Sequence, residues 1–267
     1  NPVIGDRAFG AEPDLVGEMG LATIGGLQDN MVVACGKHFP GHGDTATDSH
    51  KELPVVDAGI QRLRETEFPP FQQAIRHGVA SLMTAHVLYR ALDPDAPATL
   101  SPGVIQRLLR EEFRYDGVVF TDDLEMHAII DHDGIGEAAV RSFVAGCDVL
   151  LICKDQDRVM AAMQAMERAV LDGLNWIETE AQKRFGKDFA ALALSQQHAI
   201  CDDICSYGKA KPAFKQPAQF FRKFRDLAAG GFYSTPEGMK DIGYVGNVPT
   251  ATFAGPTPEA LKHLGLA

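Results

Sequence analysis

No apolar run in the sequence approaches the roughly 18 residues that a membrane-spanning helix needs, so no transmembrane segment is expected. Positive charge is scarce: 25 lysines and arginines stand against 36 aspartates and glutamates, a formal net charge of −11 over 267 residues. Nucleic-acid binding needs a basic face, and a peripheral membrane anchor needs a polybasic one, so neither partner is expected. Cysteine is sparse, at positions 35, 147, 153, 201 and 205. An odd, thinly spread set does not build a disulfide scaffold. Cys201 and Cys205, one helical turn apart, read as buried thiols. No G-x-G-x-x-G or Walker sequence occurs, which removes the usual glycine-rich phosphate cradle. No signal peptide is visible in a chain that opens on Asn1, and the expected compartment is the cytoplasm.

What is present is a soluble-protein balance of 45% hydrophobic and 23% charged residues, arranged rhythmically. Short β-rich runs at Met31–Lys37, Ala80–Ala85, Gly117–Thr121 and Asp148–Cys153 are apolar on both faces, as buried parallel strands are. Amphipathic stretches at Asp14–Gln28, Gln61–Arg76, Pro102–Phe113, Gly136–Ala145 and Asp157–Leu171 alternate with them. This is an α/β pattern with a parallel sheet. Polar, reactive residues follow the strands' C-terminal ends: Lys37 and His38, then His86, then Asp122 and Asp123, then Lys154 and Asp155. A (β/α)8 barrel builds its site at that face from several strand ends. Four strand–helix units are legible where a closed barrel needs eight, so the expectation is a partial barrel of the TIM type. Past about residue 172 the rhythm stops. Helical patterns at Trp176–Phe185, Ser195–Cys205 and Pro217–Ala228 lead into a Gly/Pro-rich tail, expected to be extended, from Gly230. The expected domains are therefore 1–172, the partial barrel, and 173–267, a small, mostly helical segment. Phe220, Phe221 and Phe224 form a helical aromatic stripe that suits a core or a partner-facing surface.

Two segments carry chemistry. Lys37–His50 (KHFPGHGDTATDSH) holds three histidines, two aspartates and a lysine in fourteen residues. Gly41 and Gly43 permit a tight loop that gathers those side chains. A metal site, a polar surface loop and a catalytic loop all fit the composition; only the last explains its place after a strand. Asp48 and His50, two apart, can pair so that the carboxylate fixes the imidazole's tautomer, which a general acid/base requires. In the second segment a β-run ends in Thr121-Asp122-Asp123. A carboxylate there can attack an anomeric carbon, bind Mg2+, or, as Asp123, cap the next helix.

Five ordered motifs, NPVIGDRAFG (1–10), KHFPGHGDTATDSH (37–50), LMTAHV (82–87), PATLSP (97–102) and GVVFTDDLEM (117–126), resemble bacterial β-N-acetylglucosaminidases of glycoside hydrolase family 3, the peptidoglycan-recycling type. The resemblance covers about residues 1–172. It implies a retaining exo-hydrolase of terminal β-GlcNAc on muropeptide fragments, acting through a covalent glycosyl-enzyme with no metal and no organic cofactor. It implies Asp122 as nucleophile, Asp48 and His50 as an acid/base dyad, and Arg7, Lys37 and His38 as ligands of sugar hydroxyls. His86, at a strand end, is placed in the same pocket. Phosphorolysis is a variant of this reading, since a neutral-capable histidine tolerates a phosphate acceptor. From about Leu174 the sequence is similar to the C-terminal half of the gluconate 2-dehydrogenase subunit 3 family, through LNWIETEAQKRFGKDFAAL, QFFRKFRDLAAGGFYSTPEGMKDIGYVGN and PEALKHLGL. That similarity implies an oxidoreductase partner. It leaves open the alternative of a non-catalytic fusion or chimeric chain whose C-terminal part is an accessory-subunit module.

Overall fold

A computed structural model describes residues 4–45, 47–233 and 235–241. The chain forms two compact units, Asn1–Phe224 and Arg225–Ala267. Helix α1 (Pro13–Gln28) starts with proline at its first turn and Asp14 beside it, both favourable at a helix N-terminus. Strands β1 (Cys35–Phe39), β3 (Ser81–Thr84), β5 (Val118–Asp123) and β6 (Val149–Leu151) form one sheet, and the short β2 (Val55–Val56) and β4 (Leu88–Tyr89) pair separately. Every pairing is parallel.

The four-stranded sheet runs β1-β3-β5-β6, so spatial order follows chain order. A doubly wound sheet reverses direction at a switch point; a barrel does not. Each crossover is helical. Between β1 and β3 lie α2 (Ile60–Arg62), a π-helical turn (Leu63–Glu67) and α3 (Phe68–Arg76). A π-helix (Gly103–Glu112) precedes β5, and α4 (His127–Ala145) precedes β6. The architecture is thus α/β, a four-unit portion of a (β/α)8 barrel.

The core lies between this sheet and its helices. Phe39, Leu63, Phe68, Leu82, Ile105, Leu109 and Val119 are fully buried. Phe39 meets Phe71 edge-on at 5.3 Å, and Phe68 meets Phe113 at 5.4 Å between ring centroids. Each such side chain contributes about 1.5–3 kcal/mol of burial.

Several boundaries differ from the sequence expectation. β1 begins at Cys35, not Met31, because residues 30–32 close α1. Met31 takes φ 63°, and the Met31 and Val32 amides return to the carbonyls of Gln28 and Leu27. Helix α4 starts at His127 and absorbs a break at Gly134, whose φ is 68°. Helix α5 (Gln156–Phe185) runs through residue 172, capped at its start by the Asp155 carboxylate and ended by Gly186 in the left-handed region. It packs with α6 (Leu194–Ile204) and α7 (Lys215–Tyr233) through Ile177, Ile200 and Ile204, and Phe220 and Phe221 lie against this cluster. Because Ile200 and Ile204 face that core, Cys201 and Cys205 sit one position further round α6; Cys201 is half-buried and Cys205 exposed, which corrects the buried-thiol expectation. The extended tail expected from Gly230 is helical as far as it is described. α7 reaches Tyr233, and α8 (Pro236–Asp241) follows, started by Pro236 and by the Thr235 hydroxyl accepting the Gly238 amide at 3.1 Å. The rest of that tail, 242–267, lies outside the described residues.

Leu82 is fully buried in β3, facing Gly36 of β1. Leu82→Ala should cost about 2–5 kcal/mol in denaturant-induced unfolding. A loss below about 1 kcal/mol would place Leu82 outside the core.

Candidate active site

Parallel strands deliver their C-terminal ends to one edge of the sheet, and the polar residues selected from sequence gather there. His38 lies in β1 and Asp122 in β5, and His38 Nε2 stands 3.6 Å from Asp122 Oδ2. That is too long for a hydrogen bond. Burial pushes the His38 pKa down to about 4, against the opposing charge of Asp122, while Lys37, His42 and Arg7 push it lower still. The ring is therefore neutral near pH 7, and the contact is polar rather than ionic. Asp122 Oδ1 accepts the amide of Asp123 at 2.9 Å, which leaves Oδ2 as the oxygen beside His38.

After β1 the chain turns at Gly41, whose φ is 137° and where an added Cβ would come within 2.8 Å of the Glu67 side chain. Only glycine fits. The Tyr89 hydroxyl donates to the Gly41 carbonyl, and Arg62 reaches from α2 to Glu67 (3.2 Å) and Asp44 (3.8 Å). The loop so anchored carries Asp48 and His50. One Asp48 oxygen accepts both the His50 amide (2.9 Å) and His50 Nδ1–H (2.8 Å). These two bonds, the backbone one first, hold the Asp48 carboxyl below its usual range. A carboxylate on Nδ1 orients the ring and leaves Nε2 for proton transfer. His50 is 62% exposed and Asp48 27%.

His42 connects the two groups. It is buried, and its pKa is lowered by desolvation while the charges of both Asp122 and Asp48 act against that effect. One ring thus lies within electrostatic reach of the strand-end carboxylate and of the dyad. Arg7, in a short 3-10 turn (Gly5–Arg7), and the exposed Lys37 both act on His38.

His86 is placed differently. It is fully buried after β3, with Nε2 at 3.0 Å from the Asp123 carbonyl and Nδ1 at 2.8 Å from the Thr99 hydroxyl. A carbonyl only accepts, so Nε2 carries the proton. Burial lowers its pKa too. Its contact is with the backbone beside Asp122.

Three residues of this region were not singled out from sequence: His42, Glu67 and Glu125. Buried Glu125 accepts the Lys154 amide at 2.6 Å and Arg158 at 3.3 Å, tying the end of β5 to the start of α5. The signal for His42 was available, a histidine between two glycines in the densest polar segment. Glu67 and Glu125 had none. A cleft of about 1030 Å³, lined by Arg141, Arg168, Trp176 and Phe220 among others, contains none of the residues above.

The depressed His38 pKa sets a pH dependence. An unfolded His38 binds its proton at the ordinary value of 6.5, whereas the folded ring resists to about 4, so the unfolded state holds more protons between those values. Stability present above pH 6.5 should fall as pH drops through that window, and His38→Gln should flatten the fall. Imidazole resonances followed by NMR should show His38 neutral until about pH 4; protonation near 6.5 would contradict the burial seen here.

Comparison with known proteins bears on the family and the fold. A β-hexosaminidase from Nitrosomonas eutropha is 41% identical over 155 residues, covering 58% of this chain and 44% of that protein. One from Neisseria meningitidis serogroup C is 40% identical over 158 residues, covering 59% of this chain and 44% of that protein. The chain therefore spans less than half the length of these curated relatives. Among solved structures, a glycoside hydrolase family 3 β-N-acetylglucosaminidase from Paenibacillus sp. superposes with a TM-score of 0.64 at 34% identity, over 98% of this chain and 41% of that one. The β-N-acetylglucosaminidase from Thermotoga maritima gives 0.59 at 25% identity, over 90% of this chain and 44% of that one. Residues 1–183 match the model for the glycosyl hydrolase family 3 N terminal domain, well over half of the sequence, and the chain belongs to that family.

Proposed function

We propose that the chain carries the catalytic apparatus of a retaining exo-β-N-acetylglucosaminidase acting on terminal β-GlcNAc of peptidoglycan fragments. The observation that carries this reading is a carboxylate at the end of β5 with His38 beside it, and a carboxylate-oriented imidazole on the loop after β1, to which His42 is bonded through Ser49. The names of the relatives, β-hexosaminidases and β-N-acetylglucosaminidases, support the sugar.

The reaction follows double displacement. Asp122 Oδ2 attacks the anomeric carbon. The bond to the leaving-group oxygen breaks, and His50 Nε2–H gives that oxygen its proton. His50 is then neutral with Nε2 bare. It takes a proton from water, whose oxygen attacks the same carbon and releases the Asp122 carboxylate. Asp48 stabilises the imidazolium in both steps through the bond to Nδ1. Two inversions restore the original anomeric configuration. Arg7, Lys37 and His38 hold sugar hydroxyls. The buried His86 acts through the Asp123 backbone, fixing the turn that presents Asp122.

The test uses the whole 267-residue chain and a chromogenic β-GlcNAc glycoside. Asp122→Asn should lose about 10³-fold or more in kcat/KM, and His50→Ala about 10²–10⁴-fold. A 5-fluoro glycosyl inactivator should leave its sugar on Asp122, read by peptide mass spectrometry. An adduct on another carboxylate, or an active protein with no adduct on Asp122, would remove the assignment.

A further inference from the structure

We infer that His42 is a positioning residue: it latches the loop bearing Asp48 and His50 by tying it to itself and, through Ser49, to the helix that follows Asp122. The inference rests on the glycosidase reading above and deepens it.

The need for a latch comes from the dyad's exposure. Among the described residues, the only side chain hydrogen-bonded to the His50 ring is Asp48, its neighbour in the same loop. The pair is well oriented internally, but that bond does not fix its distance from Asp122. Something else must hold the loop, because displacement of about 1 Å can cost a catalytic group much of its effect.

His42 supplies the hold. Its Nδ1 lies 2.9 Å from the Thr45 hydroxyl and its Nε2 lies 3.3 Å from the Ser49 hydroxyl, three and seven residues on. Thr45 and Ser49 are both buried. Ser49, between Asp48 and His50, also offers its carbonyl to the amide of Ala128 at 3.3 Å. Ala128 is the second residue of α4, which begins a few residues beyond Asp122. A path of contacts therefore runs from the His42 ring to Ser49 and on to α4, the helix that follows the strand bearing Asp122. At the other end, the His42 ring packs edge-on against His38 at 5.8 Å, and the Gly41 carbonyl is held by Tyr89.

The described bonds select one tautomer of the ring. The Thr45 hydroxyl donates to the His42 carbonyl at 3.3 Å, so it accepts from Nδ1–H. Nε2 is then bare and accepts from the Ser49 hydroxyl. These bonds suit a neutral ring, the form that burial favours.

The two ring nitrogens can be removed separately. A glutamine amide reaches where Nε2 sits and keeps the bond to Ser49. An asparagine amide reaches only where Nδ1 sits and loses it. In the full chain, His42→Asn and Ser49→Ala should lower kcat/KM about 10²-fold or more on an alkyl β-GlcNAc glycoside, whose leaving group needs a proton. On a dinitrophenyl glycoside, whose leaving group departs unprotonated, the loss should stay below about 10-fold. His42→Gln should remain within about 5-fold of the parent on both. Equal losses on the two substrates, or none on either, would overturn the latch. If the parent hydrolyses neither substrate, the glycosidase reading fails, and amide hydrogen exchange decides the latch alone. Residues 47–52 should then exchange at least about 10-fold faster in His42→Asn and Ser49→Ala while β5 amides stay unchanged. Unaltered exchange in the loop would reject it.

Discussion

The 3.6 Å approach of His38 to Asp122 is the constraint on which the rest of the site depends. The two residues sit on strands that are not neighbours, because β3 runs between β1 and β5. Adjacent strands lie about 4.8 Å apart, so the two backbones are separated by about 10 Å. The side chains can meet only if both project from the same face and the sheet curves to bring them together. Strand order without reversal, all-parallel pairing and this contact across a strand are therefore one fact seen in three ways. Each is what a segment of barrel wall requires.

Burial divides the histidines of this region by task. His38, His42 and His86 are all enclosed, and desolvation lowers the pKa of each. Neutral imidazoles can serve as struts: His42 gives a proton at Nδ1 and receives one at Nε2, and His86 gives one at Nε2 to the Asp123 carbonyl. His42 ties the loop to itself, His86 ties the segment after β3 to the last residue of β5, and His38 brings β1 to within 3.6 Å of Asp122 without a hydrogen bond. His50 alone of the four is exposed, on a loop anchored through Gly41, Asp44, His42 and Ser49. A ring that must exchange protons with substrate and water needs that access, and its precision has to come from its neighbours.

The strand–helix alternation was legible because parallel strands buried on both faces read as apolar runs, and β3, β5 and β6 lie where those runs are. The start of β1 was not, since Met31 and Val32 are as apolar as a strand but are used to close α1, leaving Met31 94% exposed. The end of α7 was misread because Gly230 and Gly231 look like a stop, yet the helix continues to Tyr233. At the site, the spacing of Asp48 and His50 suggested their pairing, which the bond between them matches, while Lys37, His38 and Asp122, expected just after strands, lie in the last residues of β1 and β5. His42 was visible only as one more polar residue, because its bonds depend on how the loop folds back over seven positions. Glu125 and Glu67 act through contacts with residues 29 and 5 positions away, which no local pattern displays.

The central claim is that the ends of β1 and β5 converge on one saccharide. A crystal structure of the chain with N-acetylglucosamine bound tests it most directly. The sugar should lie with its anomeric carbon between Asp122 Oδ2 and His50 Nε2. A sugar bound elsewhere, for instance in the cleft beside Trp176 and Phe220, with the strand ends empty, would contradict it.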